Sequence, residues 1–201
     1  GTVDVTFVFD GSALEDTLLV AFETLYTEEK EVGIHAEIED DAQTVYLPKI
    51  RTNAKDGITD IDHTEALEKA TIIDTVSYSS LLPGKEYIVS GTLMNKKTGE
   101  AVLIDGKPIT ASTTFTAEKA EGSVDIVFEF DASAIAGTTV VAFESMEYEG
   151  VEVAVHADIE DEDQTVYIPE IHTTAADQKT GINHTESEEQ ATIVDTVLYS
   201  H

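Results

Sequence analysis

The feature that most limits what this chain can fold into is an internal repeat. Residues 1–80 align without a gap onto 122–201, an offset of 121, and roughly half of the aligned positions are identical. "FVFDGSALEDTLLVAFE" at 7–23 returns as "FEFDASAIAGTTVVAFE" at 128–144, and "ATIIDTVSYS" at 70–79 as "ATIVDTVLYS" at 191–200. Only 81–121 occurs once. Tandem copies this similar adopt one fold in succession, so the unit must accept a neighbour at each end. The Pro-containing stretches "YLPKI" and "YIPEI" mark boundaries, because Pro cannot donate to a strand ladder. We therefore expect a complete domain at 50–169. Residues 1–49 read as the C-terminal part of a preceding repeat, and 170–201 as the N-terminal part of a following one. With both ends falling inside a repeat, and no secretion signal or wall-sorting tail recognisable, we expect a slice of a longer array.

Within the repeat the periodicity is that of strands. "KATIIDTVSY" (69–78), "EYIVSGTLM" (86–94) and "SVDIVFEF" (123–130) alternate, while "NKKTGE" (95–100) and "IDGKP" (104–108) carry turn residues. "DASAIAG" (131–137) reads as a single helical turn, with Asp131 as its cap and Gly137 as its stop. No segment has convincing helical length. About seven strands in a unit of this size predict an all-β, immunoglobulin-like sandwich, and such domains strung end to end make a rod.

Composition narrows the partners. The formal charge is −30, from 41 acidic against 11 basic side chains. Nucleic acid and anionic membrane both need clustered Lys and Arg, so neither is an expected partner. With 41% apolar residues and regular strand patterning, the chain reads as folded and not disordered. No window reaches eighteen apolar residues, so no segment reads as a membrane-crossing helix. There is no Cys, so any covalent reinforcement must come from other side chains.

Strand parity then locates polar residues where apolar ones belong. In 70–78 one face reads Ala70, Ile72, Asp74, Val76, Tyr78, and its copy reads Ala191, Ile193, Asp195, Val197, Tyr199. A carboxylate in such a row must be protonated, bonded or paired. Glu144 shares a face with Val140, Ala142 and Met146, as Glu23 does with Leu19, Ala21 and Leu25. Thr52 lies between Ile50 and Ala54, and Thr173 between Ile171 and Ala175. Gln164 leads Val166 and Ile168, as Gln43 leads Val45 and Leu47. His156 breaks the pattern, since simple alternation sets it with Glu152 and Asp158 on the polar side, unless an edge or bulge intervenes. Ordinary readings stand beside these: a strand-forming Thr, a capping Gln, a surface His. "DIEDED" (158–163) is acidic enough for calcium but lacks the Gly and ligand spacing of an EF-hand loop. "HTE" at 63–65 and 184–186 supplies too few ligands for a metal site.

Together these residues resemble the Thr–Gln ester-bond domains in the stalks of Gram-positive surface adhesins. The resemblance spans the whole repeat and rests on "IRTNA" and "IHTTA", "ATIIDTVSYSSLLPGKEYIVSGTLMNKKTGE", "VVAFE" and above all "HADIEDEDQTV". It implies a CnaB-like domain in which a Thr on the first strand and a Gln on the last form an intramolecular ester with loss of ammonia. Thr52 and Gln164 match that pair. His156 matches the assisting His, Asp74 the strand acid, and Glu144 is taken as the second acid. Glu23, His35 and Gln43, and Thr173 and Asp195, match incomplete sites in the flanking part-repeats. The resemblance further implies a self-modifying structural protein and not an ordinary enzyme. No cofactor is called for, neighbouring repeats are the partners, and a tip domain elsewhere would hold any host ligand. The location would be the cell surface, anchored through a segment outside these residues. Two other functions remain open on residues alone: a ligand-binding adhesion module without a crosslink, and a calcium-stabilised repeat rod.

Overall fold

The computed structural model describes residues 1–200. Four strands precede the first Pro junction: β1 (Thr17–Val20), β2 (Glu23–Thr27), β3 (Lys30–His35) and β4 (Thr44–Leu47). Ten follow in the central repeat. They are β5 (Lys49–Asp56), β6 (Ala70–Ser79), β7 (Glu86–Asn95), β8 (Leu103–Ile104), β9 (Lys107–Pro108), β10 (Thr110–Thr116), β11 (Gly122–Phe130), β12 (Thr138–Tyr148), β13 (Val151–His156) and β14 (Thr165–Ile168). β15 (Glu170–Asp177) and β16 (Ile193–Ser200) close the described chain. The only helices among the described residues are single 3-10 turns. One of them, Ala132–Ile135, starts at Asp131, whose carboxylate accepts from the Ser133 backbone N–H. Its C-cap is Ala136, and Gly137 follows at φ 77°, where a residue lacking Cβ is cheapest.

The central repeat is an all-β sandwich. A three-stranded antiparallel sheet in the order β11-β6-β5 faces a five-stranded sheet in the order β10-β7-β12-β13. β14 also joins the larger sheet, pairing with the first part of β12 while β13 pairs with the last part. Ile72, Val76, Ile126 and Phe128 from the small sheet meet Val89, Leu93, Val140, Ala142 and Met146 from the large one. All of these are buried. The alternating burial along β5 and β6 follows from the alternating sequence, since one strand face is removed from water at about 25 cal/mol per Å² of apolar surface.

Two local devices shape the site. Gly91 on β7 lies directly across from Glu144, and a Cβ there would stand 2.6 Å from the Phe128 ring, so the bare backbone makes room for that ring. On the opposite flank of β12, the register with β13 shifts between Met146 and Glu147. That bulge adds a residue, Val153, to β13 and inverts the parity of everything after it. His156 therefore falls opposite Glu144 and on the same side of the sheet. The expectation from simple alternation is corrected by the bulge, on a strand that is also a sheet edge.

The repeat is visible in three dimensions. The "HTE" motif is part of a clasp in both copies. Thr64 donates to Asp56 Oδ2, and Thr185 donates to Asp177 Oδ2 at 2.7 Å. The leading segment breaks between β1 and β2 at Ala21–Phe22, whereas the matching β12 runs unbroken. The difference has a physical cause. Ala142 and Phe143 are paired to β7, and the leading segment has no partner for Ala21 and Phe22 in that position.

Candidate functional site

Four parts of the sandwich bring side chains to one buried polar cluster at its open edge. Thr52 comes from β5, Asp74 from β6, Glu144 from β12, and Gln164 from the residue just before β14. Their exposures are 8%, 0%, 2% and 0%. The backbone fixes the approach: Ala142 N–H donates to Gln164 O at 3.1 Å, and Ala54 N–H donates to Asp163 O at 2.9 Å. Those two bonds bring the residue before β14 onto β12 on one side and β5 on the other. The side chains then meet. Thr52 Oγ1 donates to Glu144 Oε2 at 3.1 Å, and Gln164 Nε2 donates to both Thr52 Oγ1 and Glu144 Oε2.

His156 ends β13, at the same edge. Its Nε2 meets Asp161 Oδ2 at 2.8 Å, while Asp161 Oδ1 accepts from Asp163 N–H at 2.9 Å. With a proton on Nε2 shared with Asp161, Nδ1 is left as the basic nitrogen; this tautomer is assigned from the hydrogen bond. Thr52, His156 and Asp161 line one cleft of about 730 Å³, which also touches the leading segment at Gly11, Ser12 and Glu15. The Thr52 hydroxyl and the His156 ring are thus reached from the same opening.

The two acids form a coupled pair. Burial pushes the Glu144 carboxyl up to about 10, reinforced by the charge of Asp74. Burial also raises Asp74 to about 6, opposed by the Glu144 carboxyl and the Asn53 backbone beside it and by the charge of His156. Drawn as two carboxylates, both Asp74 oxygens and Glu144 Oε1 are buried without a hydrogen-bond partner. Two buried carboxyls this close cannot both ionise, so the pair holds a single proton, which leaves Glu144 neutral and Asp74 ionised near pH 7. Gln164 Oε1 is also buried without a partner. A half-turn about Cγ–Cδ exchanges the amide nitrogen and oxygen, and sets that oxygen within reach of neutral Glu144.

A measurable consequence follows from the raised carboxyl. A raised Glu144 holds its proton in the folded state at pH values where the unfolded chain has lost it. The stability it contributes is full below about 4.5 and is lost as pH rises toward about 10. A Thr52→Ala chain, which retains both acids, should therefore melt at progressively lower temperature across that window. Carbon-detected NMR of its carboxyls should find one group titrating far above 4.5. Two carboxyls with midpoints near 4 would contradict the shared proton.

Of the residues singled out in the sequence, the structure brings Thr52, Asp74, Glu144 and Gln164 together, with His156 across the strand pair from Glu144. In the leading segment, Gln43 Nε2 donates to Glu23 Oε2 at 2.5 Å, and His35 Nε2 meets Asp40 at 3.0 Å. No Thr joins them. In the trailing segment Thr173 and Asp195 are exposed on β15 and β16. Asp161 was not among the sequence candidates. An acid does stand five residues after the His in both copies, as Asp40 and as Asp161, but so do acids at two, four and six residues, and only the fold picks out the one that meets the ring.

No curated protein matches the chain. Among solved structures, a bacterial adhesin from Mobiluncus mulieris containing intramolecular disulfide, isopeptide and ester bond cross-links superposes with a TM-score of 0.49 and 14% identity, over 76% of this chain and 73% of that one. A second crystal form of that adhesin gives 0.49 and 15% over the same shares. A glycosyl hydrolase family 2 member from Bacteroides cellulosilyticus gives 0.43 and 11%, over 65% of this chain and 16% of that one. Likenesses at this level carry no argument about function. The family match is of another order: the model of the T-Q ester bond containing domain fits residues 1–47, 48–168 and 169–201 in succession, and the chain belongs to that family.

Proposed function

We propose that residues 50–169 form one complete domain whose Thr52 and Gln164 close an ester, and that the protein is a stalk repeat of a cell-surface adhesin stiffened by that bond. The observation that carries the reading is the contact of Thr52, Gln164 and Glu144 in a buried pocket, beside a His–Asp pair.

The chemistry uses the residues in sequence. His156 takes the proton from Thr52 Oγ1, and Asp161 holds the imidazole and offsets its charge. Thr52 Oγ1 attacks Gln164 Cδ, and neutral Glu144 donates to the oxygen on which negative charge develops. The C–N bond breaks, His156 returns the proton to the nitrogen, and ammonia leaves. Asp74 keeps Glu144 protonated and does not touch the reacting atoms. Each domain reacts once, so the protein modifies itself and turns over no substrate. The dry pocket aligns the groups and slows hydrolysis of the product.

The mechanical meaning lies in the position of the bond. β5 opens the domain and β14 closes it, and they belong to opposite sheets that meet at the open edge. An ester there routes a pulling force from the start of β5 to the start of β14, past the strands between. Intact mass tests the reading. The chain should weigh about 17 Da less than its sequence, because one ammonia is lost. Only one loss is expected from these 201 residues, since Glu23, His35 and Gln43 have no counterpart of Thr52 before them, and Thr173 and Asp195 have no counterparts of His156 and Gln164 after them. Thr173→Ala should leave the loss unchanged. A folded chain with its full sequence mass would overturn the crosslink, and a loss abolished by Thr173→Ala would mean that part-repeats of two chains react with one another.

A further inference from the structure

The two Pro junctions share one backbone plan but differ in chemistry. At the first, Asp16 N–H donates to Leu47 O at 2.9 Å, and at the second Gly137 N–H donates to Ile168 O at 2.8 Å. Both residues sit in the left-handed region, Asp16 at φ 63° and Gly137 at φ 77°. Gly occupies such a conformation freely, whereas Asp does so at some cost, so a strained Asp where the copy has Gly points to a role. That role is visible across the junction. Ser80 Oγ donates to Asp16 Oδ1 at 3.0 Å, and Lys49 Nζ meets Glu15 Oε2 at 2.9 Å. Lys49, Arg51, Ser77 and Ser79 surround a cavity of about 210 Å³ with Asp16. Arg51 is the only arginine in a chain with 41 acidic residues, which makes its placement beside this acidic loop informative.

At the second junction every charge is replaced. Glu15 and Asp16 correspond to Ala136 and Gly137, and Lys49 and Arg51 to Glu170 and His172. Glu170 Oε1 pairs with His172 on its own strand at 3.0 Å, while its Oε2 lies against Gly137, which offers no charge or side chain to meet it.

We propose that the face built from Lys49, Arg51, Ser79 and Ser80 is a docking surface for the acidic Glu15–Asp16 loop of the preceding repeat, so that the first junction is clamped by charge and the second, with no charge pair across it, is a pivot. The clamp is independent of the ester and exists whether or not Thr52 reacts.

The absence of Cys allows clean pairwise labelling. Spin labels at Lys30→Cys and Glu100→Cys report the first junction, and labels at Glu100→Cys and Glu186→Cys the second. In the full chain at about 0.02 M salt, the first distance distribution should be narrow. Raising salt to about 1 M, where the screening length is about 3 Å, should broaden it and cut the docked population about two- to fivefold. Lys49→Glu with Arg51→His, the residues of the copy, should do the same at low salt. The second distribution should ignore salt, and Ala136→Glu, Gly137→Asp, Glu170→Lys and His172→Arg together should narrow it. The proposal is overturned by a first distribution indifferent to salt and to Lys49→Glu. It is equally overturned by two junctions that respond alike, or by a transplanted clamp that narrows nothing. An intact ester by mass in each sample separates this result from failure of the crosslink.

Discussion

A chain carrying Thr52→Ala is expected to melt on the order of 15 °C below the unsubstituted chain. The partners are 112 residues apart in sequence. By analogy with a disulfide, closing a loop of that size removes denatured-state entropy equivalent to roughly 4–5 kcal/mol. In a domain this large, about 1 kcal/mol moves the midpoint by a few degrees, which gives the stated drop. Part of any loss could come from the missing hydrogen bond to Glu144, so Thr52→Ser is the control. Serine retains the hydroxyl, and should recover both the mass loss and most of the melting temperature. Calorimetry of the three chains decides the matter. Equal midpoints for Thr52→Ala and the unsubstituted chain would mean that no bond ties β5 to β14.

The second large effect is on rate. His156→Ala should slow ester formation by roughly 10²–10⁴-fold, the usual contribution of a positioned acid–base group. Freshly folded protein would then keep its sequence mass for hours or longer, and react only slowly if at all. Asp161→Asn tests a different role, since Asp161 meets the imidazole and not the reacting atoms. It should slow the reaction, because an imidazole without its carboxylate is no longer held in one tautomer and orientation. An unchanged rate of ester formation would remove Asp161 from the reaction.

Much of this arrangement was legible in the residues, for an identifiable reason. Thr52, Asp74, Glu144 and Gln164 are polar members of otherwise apolar strand faces, and period-two alternation reports such misfits directly. The existence of two copies made each misfit countable twice. What alternation could not deliver is the position of His156, because the bulge at Val153 resets parity and leaves no mark in composition. Asp161 was hidden differently. It lies in an irregular acidic loop where no periodicity exists, and acids stand two, four, five and six residues after the His in both copies, so spacing does not single it out. The sheet assignments of β5 and β14 were likewise beyond local pattern, since both strands are short-range alike and differ only in long-range pairing.

Gly91 leads to a conclusion about timing. It belongs to the one stretch, 81–121, that neither flanking segment repeats, and it carries no reactive group. Yet it lies across from Glu144 and admits the Phe128 ring, which comes from the opposite sheet. The acid is therefore seated only when β7, β11 and β12 have already packed, and the nucleophile arrives with β5. On the proposed chemistry the fold is completed first, and the Thr52–Gln164 bond then records that completion. A misfolded intermediate has no assembled pocket with which to lock itself, so the covalent step acts as a checkpoint that correct domains alone can pass.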